Sequence, residues 1–413
     1  MDIDCREQIL SEDYADFIIE YNQISELEAY GYCFSIIDKN FATLHVPLNE
    51  LPENFIQVFS ISANPLCFGI MDIPSTEASG ISTLRNIPVL NLRGQGVLIG
   101  IVDTGIDYTH EAFIQADGTS RILSIWDQTI QDGPSPEGFN IGTVYSNEQI
   151  NAALQADDPF SLVPTRDEDG HGTFLAGIAA GNRNEEASFT GIATDSEIVV
   201  VKLKKAKAYL KEFYRIPPNA DAYQGNDIML GVSYLLSVAA LHQRPISICI
   251  GLGSSQGAHD NYGIMSLFFN DVARRNGVAV SVAAGNEGSR RNHVSGIVTS
   301  QQADTVELRV GPNEYGFTME LWGNTPNVFA IDMLSPTGEY IPRIPARLRE
   351  SREIRFILEE TVVNIDYFLI AAESGDQLIL LRFLRPTEGI WRFRIYASGD
   401  FDLGYNIWLP IHL

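Results

Sequence analysis

Basic residues are scarce in this sequence. Its 413 residues carry 28 Lys and Arg against 53 Asp and Glu, a formal net charge of −25. A surface so acidic repels phosphate backbones and anionic headgroups, which excludes nucleic acid and a membrane surface as partners. Solubility is its first consequence, with basic peptides or divalent cations as further candidates. Cysteine is scarcer still: Cys5, Cys33, Cys67 and Cys249, with no C-x-x-C pair. Such spacing reads as scattered reduced thiols rather than a disulfide framework or a zinc site. Long apolar runs are missing too, none reaching the roughly 18 residues that span a bilayer. The N-terminus, MDIDCREQIL, is acidic where a secretion signal would open with basic charge. These absences predict a cytoplasmic chain without membrane insertion.

What is present is ordinary globular composition, 45% hydrophobic and 20% charged, in a chain long enough for two or three domains. Residues 1–70 read as a small α+β unit, with strands in ADFIIEYN and CFSIIDKNFATLHVPL and a short helix in PLNELPENFIQVFS. Residues 71–93, broken by Pro, Gly and Ser, read as a connecting arm. From 94 to 294 the apolar runs GVLIGIV, EIVVVKL, PISICI and GVAVSVAA alternate with helix-like segments. That alternation predicts an α/β unit, a parallel sheet with helices on both faces. Ligands of such sheets bind beyond the carboxyl ends of the strands. From 295 to 413, short strands bounded by Gly, Pro and Asn predict a β-sandwich. The one basic run, KLKKAKAYLKEFYR, reads as a solvated face or else as the rim of a cleft.

Three segments place chemistry at strand ends or helix starts. GVLIGIVDTGID ends an apolar strand in Asp103, a carboxylate that must be paired or hydrogen-bonded if buried. RDEDGHGTFLAG sets His171 between Gly170 and Gly172 at a helix start, where glycines let other backbone approach. The helix N-terminus disfavours imidazolium, so a base there needs a carboxylate partner. GVAVSVAAGNEGS ends a buried strand near Asn286, whose amide could donate to a developing oxyanion. Taken singly, each is equally readable as a turn or helix-start residue. Together, in the order Asp, His, Asn after three apolar segments, they form a constellation.

With IVDTGID, HGTFLAG and AAGNEG in that order, the chain resembles the subtilisin-like serine proteases over about 94–294. The resemblance implies that Asp103 orients His171, that His171 is general base and then general acid, and that Asn286 belongs to the oxyanion hole. It implies a substrate-binding strand at Gly251, Leu252 and Gly253, with VVVKLKK flanking the peptide on its other side. Extended peptides would bind there by strand addition. GTSRILSIWDQTI and the β-rich stretch after AAGNEGSRRNHVSG are similar to a clostridial subgroup that includes the Csp proteases of spore germination. In that subgroup a cleaved prodomain assists folding and a jelly-roll insertion precedes the catalytic serine. Residues 1–70 and 295–413 match those two parts, and spore association follows from the same likeness.

The sequence departs from the family at the nucleophile. No Gly-Thr-Ser motif opening an apolar helix lies between Asn286 and Leu413. The lone GTS, Gly118 to Ser120, precedes the histidine and runs into the strand-like RILSIW, so Ser120 reads as a turn residue. A fragment, a split gene and a degenerate homologue are the readings. The first two are favoured because Asp103, His171 and Asn286 are all present. The chain alone is expected not to hydrolyse peptides and to keep its N-terminal unit uncut. The rival reading is a non-catalytic pseudoprotease that binds peptides or regulates an active homologue. The acidic loop GNRNEEASFTG lacks a clear calcium pattern, so no metal is assigned. GLGSSQG has its glycines out of phase with G-x-G-x-x-G, so no nucleotide cofactor is assigned either. The expected partners are a protein or peptide substrate and a serine-bearing C-terminal segment.

Overall fold

A computed structural model describes residues 5–52, 55–70, 92–184, 189–288, 290–299, 302–347, 350–371, 374–399 and 401–411. The connecting arm expected over 71–93 falls outside these except for its last two residues.

The N-terminal unit is a three-stranded antiparallel sheet in the order β1-β3-β2: β1 Tyr14–Glu20, β2 Cys33–Ile36 and β3 Phe41–Pro47. Short helices, Cys5–Leu10, Ile24–Ala29 and Phe55–Phe59, attend it. Cys5 and Cys33 are joined by a disulfide, Cα–Cα 5.6 Å, which corrects the expectation of four reduced thiols. The two cysteines are 28 residues apart. Only the packing of the first helix against β2 brings their Cα atoms within bonding range. Cys67 and Cys249 are free thiols. Burial pushes the Cys67 thiol up, and burial, then Asp103, pushes Cys249 up to about 11.

After the unit, strand β4, Cys67–Ile70, leads away towards the larger body. That body is built on six strands: β5 Leu98–Asp103, β6 Ile122–Asp127, β7 Thr143–Ser146, β8 Glu197–Lys202, β10 Ile246–Ile250 and β12 Val278–Val282. Two-residue strands β9, Tyr223–Gln224, and β11, Leu252–Gly253, lie outside it. The sheet order is β12-β10-β5-β8-β6-β7, parallel except for the β6–β7 pair. All six residues of β5 are buried, because helices cover both faces and leave no reason for alternation. On one face Leu235, from the Gly225–Leu241 helix, packs over Gly100, whose missing Cβ would stand 2.7 Å from Leu235 Cδ1. Helix Ile264–Ala273 joins it, and the N-terminal unit docks on this side, Phe41 meeting Phe268 edge-on at 6.2 Å. Helices Asn147–Leu154 and His171–Ala180 cover the other face.

The sequence predicts a buried strand over GVAVSVAA, and here the structure differs. β12 ends the sheet, and its Ala279, Ser281 and Val282 are exposed. Among the described residues, helix Ile264–Ala273 packs against β12 and no strand flanks its outer side.

Among the described residues the chain then forms ten antiparallel strands, β13 His293–Val298, β14 Asp304–Val310, β15 Gly316–Gly323, β16 Val328–Leu334, β17 Tyr340–Ile344, β18 Glu350–Arg355, β19 Val362–Phe368, β20 Gln377–Leu384, β21 Gly389–Ser398 and β22 Leu403–Trp408. Sheets β13-β22-β15-β20-β19-β18 and β14-β21-β16-β17 enclose one core around Trp391, Phe383, Phe393 and Tyr367. Strand β21 alternates Trp391, Phe393 and Ile395 inward with Arg392 and Arg394 outward, the period of a half-buried strand. The fold is thus a largely parallel α/β sheet with helices on both faces, preceded by a small α+β unit and followed by a β-sandwich.

Candidate active site

β5 and the His171–Ala180 helix bring two of the expected residues together. Asp103, the last residue of β5, is fully buried, and its Oδ1 accepts a hydrogen bond from His171 Nδ1 at 2.7 Å. Thr104 N–H donates to the same oxygen at 2.8 Å. The glycines beside the histidine serve close approach. A Cβ on Gly172 would stand 2.2 Å from the Gly105 carbonyl oxygen and 3.2 Å from Asp103 Cβ, so only glycine lets the first helical turn sit on the strand end. Gly170 precedes the helix at φ 87°, a left-handed turn that glycine adopts without strain. His171 is buried, 8% exposed. A neutral imidazole in this arrangement carries its proton on Nδ1, towards Asp103, and leaves Nε2 as the basic nitrogen.

Gly251, Leu252 and Gly253 follow β10, and Gly251 lies directly beside this pair. β11 is paired antiparallel with the chain's own β4, Leu252 with Ile70 and Gly253 with Gly69. On its other edge β4 pairs with β9, Cys67 with Gln224 and Phe68 with Tyr223. An extended segment is therefore already held by main-chain hydrogen bonds between two short strands, the geometry of strand addition. Phe68 is buried in an apolar cluster with Leu230, Leu252, Ile264 and Phe268. The flanking strand is β9 rather than VVVKLKK, most of which is β8 and the turn beyond it. β8 is committed on both edges to β5 and β6, so it has no free edge to offer a peptide.

Asn286 stands beyond the end of β12. Ala283 N–H donates to the Ile250 carbonyl at 3.0 Å, so the chain leaves β12 alongside Gly251. Asn286 is exposed, and its N–H donates to Glu287 at 2.9 Å. Ser120 is buried ahead of β6, where its hydroxyl accepts the Ile122 N–H at 3.0 Å.

The basic run is not a solvated face throughout. Lys202, Lys204 and Lys207 are buried against Glu168, Asp227 and Asp16, while Lys205 is exposed. The buried carboxylates of Asp227 and Asp16 draw Lys204 and Lys207 inward, while Lys202 reaches out to the exposed Glu168. Residues 185–188 of the acidic loop GNRNEEASFTG lie outside the described residues.

Sequence reasoning passes over Asp167, four residues before His171. Its carboxylate accepts bonds from Thr104, Gly170 and Thr173. Burial acts to raise its pKa, but the hydroxyls of Thr173 and Thr104 and the N–H groups of Thr173 and Gly170 hold it below the usual carboxylate range. In sequence it is one acid among several in RDEDG, with no local signal to single it out.

The Subtilase family model matches residues 94–331, more than half of the chain. The structure resembles the Clostridium perfringens CspB protease with a TM-score of 0.69 and 28% identity, covering 81% of this chain and 67% of that one. Subtilisin-like protease SBT3 of Solanum lycopersicum is 28% identical over 213 residues, 47% of this chain and 24% of its own. Subtilisin-like protease 3 of Pseudogymnoascus destructans is 29% identical over 175 residues, 42% of this chain and 37% of its own. The chain thus matches about a quarter to just over a third of the length of these curated relatives. With the motif residues paired at the end of a parallel sheet, a matching family model and a Csp protease as structural neighbour, the chain belongs to the subtilase family and is Csp-like within it.

Proposed function

We propose that this chain carries the acid–base pair and the peptide groove of a subtilisin-type serine endopeptidase, its nucleophilic serine lying on a segment outside these 413 residues. The observation that supports it best is the Asp103–His171 bond of 2.7 Å beside a groove that already holds an extended strand. In this reading a substrate takes the place of β4, hydrogen-bonded between β9 and β11. Its scissile carbonyl lies past the position of Ile70, close to His171. His171 Nε2 takes the serine proton as the hydroxyl attacks, Asp103 stabilises the imidazolium, and the same proton goes to the leaving amine. The Asn286 amide donates to the tetrahedral oxyanion. The serine segment docks along β12, whose Ala279 and Val282 are exposed at the sheet edge a few residues before Asn286. The N-terminal unit is the prodomain, and the sandwich is the jelly-roll insertion of a spore-germination protease.

The test is labelling with a peptide phosphonate that captures an activated serine. The chain alone is expected to remain unlabelled. Addition of a downstream or separately encoded Gly-Thr-Ser segment is expected to give label on that segment, lost in His171→Gln. Stoichiometric label on a serine of this chain alone overturns the proposal. A second reading, a peptide-binding pseudoprotease, is supported by the groove being filled by the chain's own β4. It gains if no supplied segment restores labelling.

A further inference from the structure

A second carboxylate lies under the Asp103–His171 pair without being a member of it. Asp167 Oδ1 accepts the Thr104 hydroxyl at 2.7 Å and the Gly170 N–H at 3.0 Å. Its Oδ2 accepts the Thr173 N–H at 2.9 Å and the Thr173 hydroxyl at 2.6 Å. Thr104 directly follows Asp103, while Gly170 precedes His171 and Thr173 lies two residues after it. The Thr104 hydroxyl, having donated to Asp167, accepts the N–H of Gly172 at 2.9 Å. The Thr173 hydroxyl likewise accepts the Asp107 N–H at 2.8 Å. One carboxylate therefore stitches the end of β5 to the first turn of the helix through both neighbours of the pair.

The loop that bears Asp167 is itself fastened. Lys202, the register partner of Asp103 on β8, donates to the Arg166 carbonyl at 2.6 Å and to Glu168 at 2.9 Å. The residues on either side of Asp167, Arg166 by its carbonyl and Glu168 by its carboxylate, are thus tied to the same sheet that carries Asp103. We infer that Asp167, acting through Thr104 and Thr173, is the positioning residue that sets the Asp103–His171 bond. The inference rests on Asp103 and His171 being the orienting acid and the base.

The chemistry demands a carboxylate at this position. Four donors converge on two oxygens, and an amide would offer a single acceptor oxygen and turn N–H donors towards Thr173. Asparagine therefore breaks half of the stitching while keeping the shape. Loosening the helix start by a few tenths of an ångström lengthens the Nδ1–Oδ1 bond, and the imidazolium loses part of its stabilisation.

The test is a nuclear magnetic resonance titration of the full chain labelled with 15N-histidine, the His171 signal being assigned by its loss in His171→Gln. Thr104→Val, which changes no charge, and Asp167→Asn are each expected to lower the His171 midpoint by about one unit. Both are expected to weaken the low-field Nδ1 proton signal. Thr104→Ser, which keeps the hydroxyl, is expected to retain the parent's midpoint and signal. If Asp167→Asn does not fold, the two Thr104 variants carry the comparison. A parental His171 midpoint in Thr104→Val overturns the inference, even where unfolding shows that stability has dropped. Asp103→Asn, measured alongside, separates the two readings: if it shifts His171 while Thr104→Val does not, the pair stands and the positioning role of Asp167 falls.

Discussion

A methyl group at Gly251 would stand 2.1 Å from Leu175 Cδ1, 2.8 Å from Asp103 Oδ2 and 2.9 Å from His171 Cε1. The pair is thus packed as tightly from the groove side by Gly251 as from the helix side by Gly172. Gly251→Ala is expected to cost about 1–3 kcal/mol by overpacking. It should also shift the His171 ring resonances, because Leu175 and the imidazole must both move. Urea unfolding followed together with histidine spectra checks this; parental spectra would show that the pocket has room. Asp103 and His171 were legible in the sequence because short motifs with flanking glycines mark a strand end and a helix start. Asp167 was not, since its partners Thr104 and Thr173 become its neighbours only after β5 and the helix have packed.

At the scale of elements, apolar runs located β5, β8, β10 and β12; in β5 and β8 burial on both faces removes alternation and leaves continuous Val and Ile, whereas β12 carries its run at an exposed sheet edge. The role of β4 was not legible. Four residues, Cys67 to Ile70, become a strand only by pairing with β9 and β11, which are themselves two residues each. Their hydrogen bonds are all non-local, so no periodicity in the sequence announces them. The disulfide is a second such element property. It closes a loop between residues 28 apart in a unit with a small core around Phe17, Leu44 and Val46. By loop entropy it is expected to stabilise that unit by about 3–4 kcal/mol. Urea melts with and without reductant measure this, with Cys5→Ser as control. Reductant insensitivity of the parent would refute the bridge.

On the scale of the whole molecule, buried charge joins the N-terminal unit to the larger body. Asp16 of β1 is fully buried and accepts bonds from Lys207 at 2.9 Å, His45 at 2.7 Å and Gln224 at 2.8 Å. Burial alone would raise its pKa, but Lys207 and the His45 contact outweigh it and hold Asp16 well below the usual carboxylate range. A folded pKa below the unfolded value means that the unfolded chain binds more protons. The stabilisation from Asp16 is therefore complete above the ordinary carboxyl pKa of about 4 and is lost as pH falls below it. Lys207→Met leaves that carboxylate without its cation and is expected to cost about 3–5 kcal/mol at neutral pH. The gap to the parent should shrink below about pH 4. Urea midpoints for both chains across pH 3–8 check the sign, and a gap that grows on acidification would contradict it. Aromatic packing adds to this joint through Phe41 and Phe268.

The sequence by itself determined the parallel α/β character, the β-rich remainder and the Asp103 and His171 motifs. All are written in local patterns of burial and in residues that must flank a strand end or helix start. Only the tertiary structure decided which groups meet across the chain. It set β4 in the groove, carried Lys204 and Lys207 inward, joined Cys5 to Cys33 and left β12 exposed at the sheet edge. The physical reason is the same in each case. Charge pairing, disulfide bonding and strand addition act over distances in space that the order of residues does not encode.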